Sequence, residues 1–202
     1  MGNEERIKNI EENRAKIQST IEIFDAVNGT NMDLDKIEGP TIDPAFKSDT
    51  KVRRGEIGCY LSHWNLYKKI ESDGDYNGYT VVFEDDFEIP NDEDFEKKIT
   101  STLDAMEKYE YDILYMHILS DNTGEPFIEN VCRIDNSMDF YGTSSYIVKN
   151  KNVSKLIKEI SNMNMQIDHK LLEGVRNNRI VAYTFCPLIT KLKGYKSTIQ
   201  EQ

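Results

Sequence analysis

The chain is short of cysteine and has no long apolar run, and each shortage excludes a class of protein. Among its 202 residues only Cys59, Cys132 and Cys186 are cysteines, too few and too scattered for a disulfide framework or a zinc site. We therefore expect reduced, largely buried thiols in a cytosol-like compartment. No apolar run approaches the roughly 20 residues that cross a bilayer, and the N-terminus is charged and polar, so the sequence predicts neither a transmembrane segment nor a secretory signal.

Basic residues are scarce relative to acidic ones. The chain has 25 Lys and Arg against 36 Asp and Glu, a formal net charge of −11, and this balance excludes a nucleic-acid groove, which needs a basic field. The length and a hydrophobic content of 38% fit a single domain over residues 1–202. We expect it in the cytoplasm, including that of a virus-infected host, or peripherally at a membrane.

An apolar, β-branched run that ends in three consecutive acids is the most informative segment. Residues 80–83 predict a buried strand of a parallel sheet, and Glu84, Asp85 and Asp86 follow directly. Open α/β sheets bind ligands at the carboxyl ends of their strands. Adjacent acids repel one another unless a cation neutralises them, and a hard divalent ion that also bridges phosphates, Mn²⁺ or Mg²⁺, suits them best. The alternative is a strand that runs into an acidic loop.

The rest of the chain alternates between helical and extended patterns. Residues 4–19 predict an exposed helix with Ile7, Ile10 and Ile17 near helical spacing, and residues 30–54 a long loop that contributes to a site. Helical patterns cover residues 56–72, 92–108, 151–161 and 168–176, and strand patterns cover 21–27, 111–118, 144–148 and 180–185. This alternation predicts an α/β domain with a mostly parallel central sheet flanked by helices.

Four segments, taken in order, resemble the motifs of one protein family. They are F-D-A-V-N-G at residues 24–29, G-E-I-G-C-Y-L-S-H at 55–63, F-E-D-D at 83–86 and Y-G-T-S-S-Y at 141–146. The chain resembles the glycosyltransferases of family 25, which include bacterial lipooligosaccharide galactosyltransferases and the collagen galactosyltransferases. Weaker similarities follow at residues 167–168, 186–187 and 197–199.

The resemblance implies a GT-A fold, a Rossmann-like domain that holds a nucleotide sugar and a divalent metal ion. It implies transfer of a hexose, galactose or glucose, from a UDP donor to a saccharide, glycolipid or glycoprotein acceptor. Family members usually begin with a strand of the type I-N-L-x-R beside the nucleotide pocket. This sequence starts with M-G-N-E-E-R, so we expect that strand to be absent and the contacts to the donor base to differ.

The resemblance also suggests roles for individual acids. A Mn²⁺ or Mg²⁺ ion on Glu84 and Asp86 would stabilise the charge that develops on the leaving diphosphate. On an extended strand end these two side chains point to one side and Asp85 to the other, so Asp85 would meet hydroxyls of the sugar or ribose, or cap a neighbouring backbone. Inversion by direct displacement needs a carboxylate base. Asp168, which matches the family's acid before a late helix, is the first candidate, with a helix N-cap as its alternative role and Asp121 as its rival.

Further residues are candidate donor contacts. His63 in the signature segment contacts the donor or is a buried, hydrogen-bonded histidine. Arg53 and Arg54 could reach the diphosphate with bidentate hydrogen bonds. Gly142 allows the backbone to approach a sugar, and His169 is a further metal ligand or a solvent-facing imidazole.

Two other functions stay open. A degenerate, non-catalytic family member would bind a saccharide or a partner protein, and the missing first strand favours it. A metal-dependent phosphohydrolase would need more acidic or histidine ligands at neighbouring strand ends, and the chain has only three histidines.

Overall fold

The computed structural model describes residues 4–48, 50–90 and 93–195. Its helices are α1 (Glu4–Arg14), α2 (Lys51–Asp73), α3 (Phe95–Met106), α4 (Val153–Glu159) and α5 (Ile167–Arg176). Its strands are β1 (Thr41–Ile42), β2 (Tyr79–Phe83), β3 (Phe87–Glu88), β4 (Ile113–Tyr115), β5 (Glu125–Ile128), β6 (Val131–Arg133), β7 (Ser145–Lys149), β8 (Asn162–Met163), β9 (Ala182–Phe185) and β10 (Lys191–Leu192). Within this part of the chain no helix is long and apolar enough to cross a membrane.

The central sheet has six strands in the order β2-β7-β4-β9-β6-β5, and it is mixed. Among these described strands only β4 and β9 pair in parallel, and the other pairings are antiparallel. The α/β class is confirmed, but the predicted mostly parallel sheet is wrong because β7 lies antiparallel between β2 and β4 and a hairpin forms the far edge. β2 is accordingly an edge strand and not a buried central one, with Val81 37% exposed.

The hairpin of β5 and β6 has no counterpart in the sequence prediction. Pro126 interrupts the strand pattern of β5, and Asn130 turns the chain with a φ of 62°. Because β6 pairs with β9, Cys132 and Cys186 come together and form a disulfide, with their Cα atoms 5.9 Å apart. The predicted reduced state is therefore wrong for this pair, although Cys59 is free. Disulfides persist in oxidising compartments, so the thiols no longer support a cytosol-like location.

The longest helix, α2, confirms the helix predicted over residues 56–72 and begins more than a turn earlier. Thr50 caps it by accepting a hydrogen bond from the Arg53 N–H at 3.2 Å, and Gly74 ends it in the left-handed conformation. Its buried apolar side chains join residues of β4 and β7 in the larger core cluster; they are Ile57, Tyr60, Leu61, Tyr67 and Ile70.

Residues 21–28 run beside α2 without regular secondary structure, so the strand predicted over 21–27 is wrong. The Val27 N–H donates to Ser62 Oγ at 2.9 Å, and a Cβ on Gly58 would lie 2.7 Å from the Val27 carbonyl oxygen. The segment alternates like a strand but lies against a helix, where no sheet edge is available to pair with it. Gly58 therefore allows this segment to pack closely against α2.

The other predicted elements are confirmed with shorter bounds. The helical patterns after residue 91 correspond to α3, α4 and α5, and the strand patterns after residue 110 correspond to β4, β7 and β9. Residues 30–48 are mostly loop, as predicted, whereas residues 51–54 of the predicted loop belong to α2. The similarity at residues 197–199 and the start of the predicted 92–108 helix lie outside the described residues.

Candidate functional site

The acidic segment turns sharply where β2 ends. The Glu84 N–H donates to the Ser144 carbonyl at 2.8 Å and continues the contact with the chain leading into β7. Asp85 and Asp86 then form a turn that leads into β3, which pairs with β10. The expectation that these three acids alternate along an extended strand is therefore wrong, because alternation requires an extended backbone.

Glu84 lies in a hydrogen-bonded network with the signature helix α2. His63 Nε2 is 3.1 Å from Glu84 Oε1, and its Nδ1 is 2.7 Å from the hydroxyl of Tyr146. The Thr143 hydroxyl also donates to Glu84 Oε1. Burial favours the neutral acid, but the hydrogen bond and charge of His63, together with Thr143 and Arg6, lower the pKa of Glu84 overall. His63 is thus a buried, hydrogen-bonded histidine that orients an acid.

Asp86 is the least compensated acid of the segment. Its Oδ1 is buried and has no hydrogen-bond partner among the described residues, and its Oδ2 lies 4.0 Å from a guanidinium nitrogen of Arg6. Burial, followed by the charge of Glu84, raises the pKa of Asp86 to about 6. A buried carboxylate oxygen without a partner costs free energy that a bound cation would remove.

Helix α1 packs against this turn with polar side chains, a feature that the sequence reasoning missed. Arg6 pairs with Asp85, and the Asn9 amide donates to the carbonyls of Asp85 at 3.1 Å and of Phe87 at 2.7 Å. Arg6, Asn9 and Asn13 are buried, whereas Ile7 is 47% exposed. The positions 6, 9, 13 and 16 share one helical face, and this polar stripe was the signal available in the sequence.

Asp168 lies in the first turn of α5, but it is not the N-cap, which is Gln166. Asp168 Oδ2 accepts a hydrogen bond from the Gly142 N–H at 3.2 Å, and Oδ1 accepts one from the His169 N–H at 2.8 Å. Gly142 adopts a φ of 97°, which glycine tolerates best. The rival acid Asp121 is exposed at a bend.

The fold gathers the predicted acids around one point of α2. Burial and then the charges of Glu84, Asp168, Asp86 and Asp85 raise the pKa of the Cys59 thiol well above its usual value. The charges of four carboxylates, from segments that are more than 80 residues apart in sequence, therefore act on one side chain. This concentration of negative charge at the end of β2 is the candidate site.

The remaining candidate residues make contacts of their own. Arg54 donates to the Met32 carbonyl at 2.6 Å and to the Gly29 carbonyl at 3.3 Å, so it holds the loop that precedes α2. The ring of His169 packs against Tyr141 with centroids 4.9 Å apart. Arg53 pairs with Glu56 at 2.6 Å.

Most of this chain, including the residues of the signature helix and the acidic turn, matches one protein family. The model of that family, described as glycosyltransferase family 25 (LPS biosynthesis protein), matches residues 2–171. The chain therefore belongs to glycosyltransferase family 25.

Curated relatives agree with this assignment. The chain is 26% identical to human procollagen galactosyltransferase 2 over 149 residues, which cover 68% of this chain and 23% of that protein. It is 29% identical to Xenopus laevis procollagen galactosyltransferase 1-A over 156 residues, 70% of this chain and 24% of the relative. A rat protein named probable inactive glycosyltransferase 25 family member 3 is 24% identical over 108 residues, 50% of this chain and 18% of the relative. The matched region spans about a quarter of the length of the first two relatives.

Proposed function

We propose that this chain is a metal-dependent glycosyltransferase that moves a hexose, galactose or glucose, from a UDP donor to a saccharide, glycolipid or glycoprotein acceptor. The observation that carries the proposal is the buried Oδ1 of Asp86, which lies near Glu84 at the end of β2 and has no hydrogen-bond partner in the part of the chain that the structure describes. Carboxylate oxygens suit hard divalent ions, so Glu84 and Asp86 would hold Mn²⁺ or Mg²⁺. When bound, the ion would stabilise the negative charge on the departing diphosphate.

Asp168 is the proposed base. Its two carboxylate oxygens each accept a backbone hydrogen bond, which orients the group and leaves lone pairs free to accept the acceptor hydroxyl proton. The acceptor oxygen would attack the anomeric carbon opposite the leaving UDP, with inversion. Asp85 pairs with Arg6 and would offer its second oxygen to hydroxyls of the donor.

The surface next to Asp168 supports a saccharide acceptor. Tyr141 is 39% exposed and Leu119 is 51% exposed, and Tyr141 packs against His169, the residue after the proposed base. An exposed aromatic ring offers the C–H faces of a sugar an apolar platform. Galactose transfer is favoured over glucose transfer by the two relatives named procollagen galactosyltransferases.

Calorimetric titration of UDP with and without Mn²⁺ tests the donor site. We expect binding that requires Mn²⁺, loss of that binding in Asp86→Ala, and unchanged binding in Asp104→Ala, which removes an exposed aspartate on α3. Asp168→Asn should keep the UDP binding and lose release of UDP from UDP-galactose in the presence of acceptor. Binding of UDP by Asp86→Ala as tightly as by the wild-type chain would contradict the metal assignment.

A second candidate function is non-catalytic binding of a saccharide or partner. The similarity to a relative named probable inactive favours it, as does the ion pair of Arg6 with Asp85, which places a positive charge beside the acidic turn without any metal. Absence of UDP binding in both titrations, with the chain folded, would make this the better reading.

A further inference from the structure

Two residues of the signature segment that the hexose-transfer proposal does not use lie beside Glu84, one of its proposed Mn²⁺ ligands. Cys59 and His63 are four residues apart on α2, so they share one helical face, and both face Glu84. One ligand atom from each of these residues, the Cys59 Sγ, a His63 ring nitrogen and a Glu84 carboxylate oxygen, lies within 4.8 Å of the other two. His63 Nε2 lies 3.1 Å from Glu84 Oε1.

These three ligands suit a different metal ion from the one that suits the acidic turn. Thiolate and imidazole ligands select zinc, whereas Mn²⁺ and Mg²⁺ prefer sets made of oxygen. In a tetrahedral zinc site with bonds of about 2.0–2.3 Å, neighbouring ligand atoms lie roughly 3.3–3.8 Å apart. The separations between the three ligand atoms therefore need to shorten by at most ~1.5 Å. Rotation of the side chains can achieve a change of this size. Three protein ligands also leave a fourth position open.

The surroundings hold the imidazole and the carboxylate in place. The buried Tyr146 hydroxyl lies 2.7 Å from His63 Nδ1. When zinc is bound, this hydroxyl would accept a hydrogen bond from the Nδ1–H, and Nε2 would bind the metal in place of its present contact with Glu84. The Thr143 hydroxyl donates to the same Glu84 oxygen, Oε1. Cys59 is partly exposed as a residue, although its thiol is buried enough for burial to raise its pKa.

We propose that Cys59, His63 and Glu84 form a zinc site. The thiol proton leaves to solvent as the sulfur–zinc bond forms. Because Glu84 is also a proposed ligand of Mn²⁺, zinc and manganese would compete for it, and zinc would inhibit any Mn²⁺-dependent binding of UDP. The zinc site does not depend on the proposed hexose transfer, since it needs only two residues of α2 and the acid that follows β2.

Cobalt substitution tests the site without an activity assay. Cys59 is the only free thiol, since the chain has three cysteines and two of them form the disulfide. Titration with Co²⁺ should therefore produce a thiolate-to-cobalt charge-transfer band with a stoichiometry of one, and Zn²⁺ should abolish it. Cys59→Ser should lose the band, and His63→Gln should weaken zinc binding by more than ~10-fold.

Matched controls separate this proposal from the previous one. Asp86→Ala should keep the cobalt band while it loses Mn²⁺-dependent UDP binding, whereas Cys59→Ser should do the reverse. Circular dichroism establishes that each variant is folded, and if Cys59→Ser does not fold, His63→Gln carries the test. A wild-type chain that shows no charge-transfer band with excess Co²⁺, or a band that survives in Cys59→Ser, would overturn the zinc site.

Discussion

The two helices that contact the acidic segment bury opposite kinds of surface. Helix α2 places Ile57, Leu61 and Ile70 in the apolar core, whereas the buried residues of α1 are Arg6, Asn9 and Asn13. Apolar burial is non-directional and scales with area, while the contacts of α1 are directional hydrogen bonds to particular carbonyl oxygens. The core helix thus supplies stability, and the polar helix holds the shape of the turn that carries the proposed metal ligands.

The largest effect should come from the core face of α2. Ile57 is completely buried, so Ile57→Ala removes apolar contacts and leaves a cavity, and we expect a loss of about 2–5 kcal/mol in the free energy of unfolding. Urea denaturation measures it. The control is Asn65→Ala on the exposed face of the same helix, which should change stability by less than ~0.5 kcal/mol. Equal effects of the two substitutions would contradict the assignment of faces.

The polar face of α1 should show the second largest effect. The Asn13 side chain accepts a hydrogen bond from the Ile89 N–H at 2.8 Å and donates to the Phe87 carbonyl at 3.1 Å. Asn13→Leu leaves the buried Ile89 N–H without its acceptor, while the Phe87 carbonyl keeps the hydrogen bond from Asn9, and it should cost about 1–3 kcal/mol. The reciprocal change, Ile7→Asn at the exposed position, should stay within ~0.5 kcal/mol. If Asn13→Leu stabilised the chain, the hydrogen bonds of the polar face of α1 would not contribute to stability, and the contrast with α2 would be wrong.

Removing the charge of Asp86 should stabilise the metal-free chain. The folded-state pKa is raised from 3.8 to about 6, so the ionised carboxylate destabilises the fold above pH 6, and this penalty disappears as the pH falls from 6 towards 4. With EDTA present, Asp86→Asn should raise Tm by about 2–6 °C at pH 7.5. The gain should shrink at pH 5. A gain in Tm that is larger at pH 5 than at pH 7.5 would contradict the raised pKa of Asp86.

The smallest effect should come from the side-chain hydrogen bond that caps the start of α2. Thr50→Ala removes the cap on the Arg53 N–H and should cost about 1 kcal/mol or less, since other groups and water partly replace it. Thr50→Ser keeps the hydroxyl and serves as the control. Thermal denaturation of both variants would show whether directional bonds contribute to α2 as they do to α1.

Prediction from the sequence succeeded for features that depend on residues close together in the sequence. The apolar spacing along α2 predicts a core helix, and the β-branched run before Glu84 predicts a strand that ends at the acids. Asp168 was predicted near the start of a helix, and it is there. The same reasoning failed for residues 21–27, because a strand pattern without a neighbouring sheet edge does not form a strand.

The sequence by itself determined the α/β class, the order of the main helices and strands, the acidic triplet and membership of family 25. Only the tertiary structure decided the directions of the strands, the Cys132–Cys186 disulfide and the turn at Asp85 and Asp86. It also decided which face of α1 is buried. The physical reason is distance along the chain: Arg6 and Asp85 are 79 residues apart and the two paired cysteines 54 apart. The periodicity of a short segment depends only on neighbouring residues, so it does not identify partners that are far away in the sequence. Strand pairing and long-range hydrogen bonds depend on such partners.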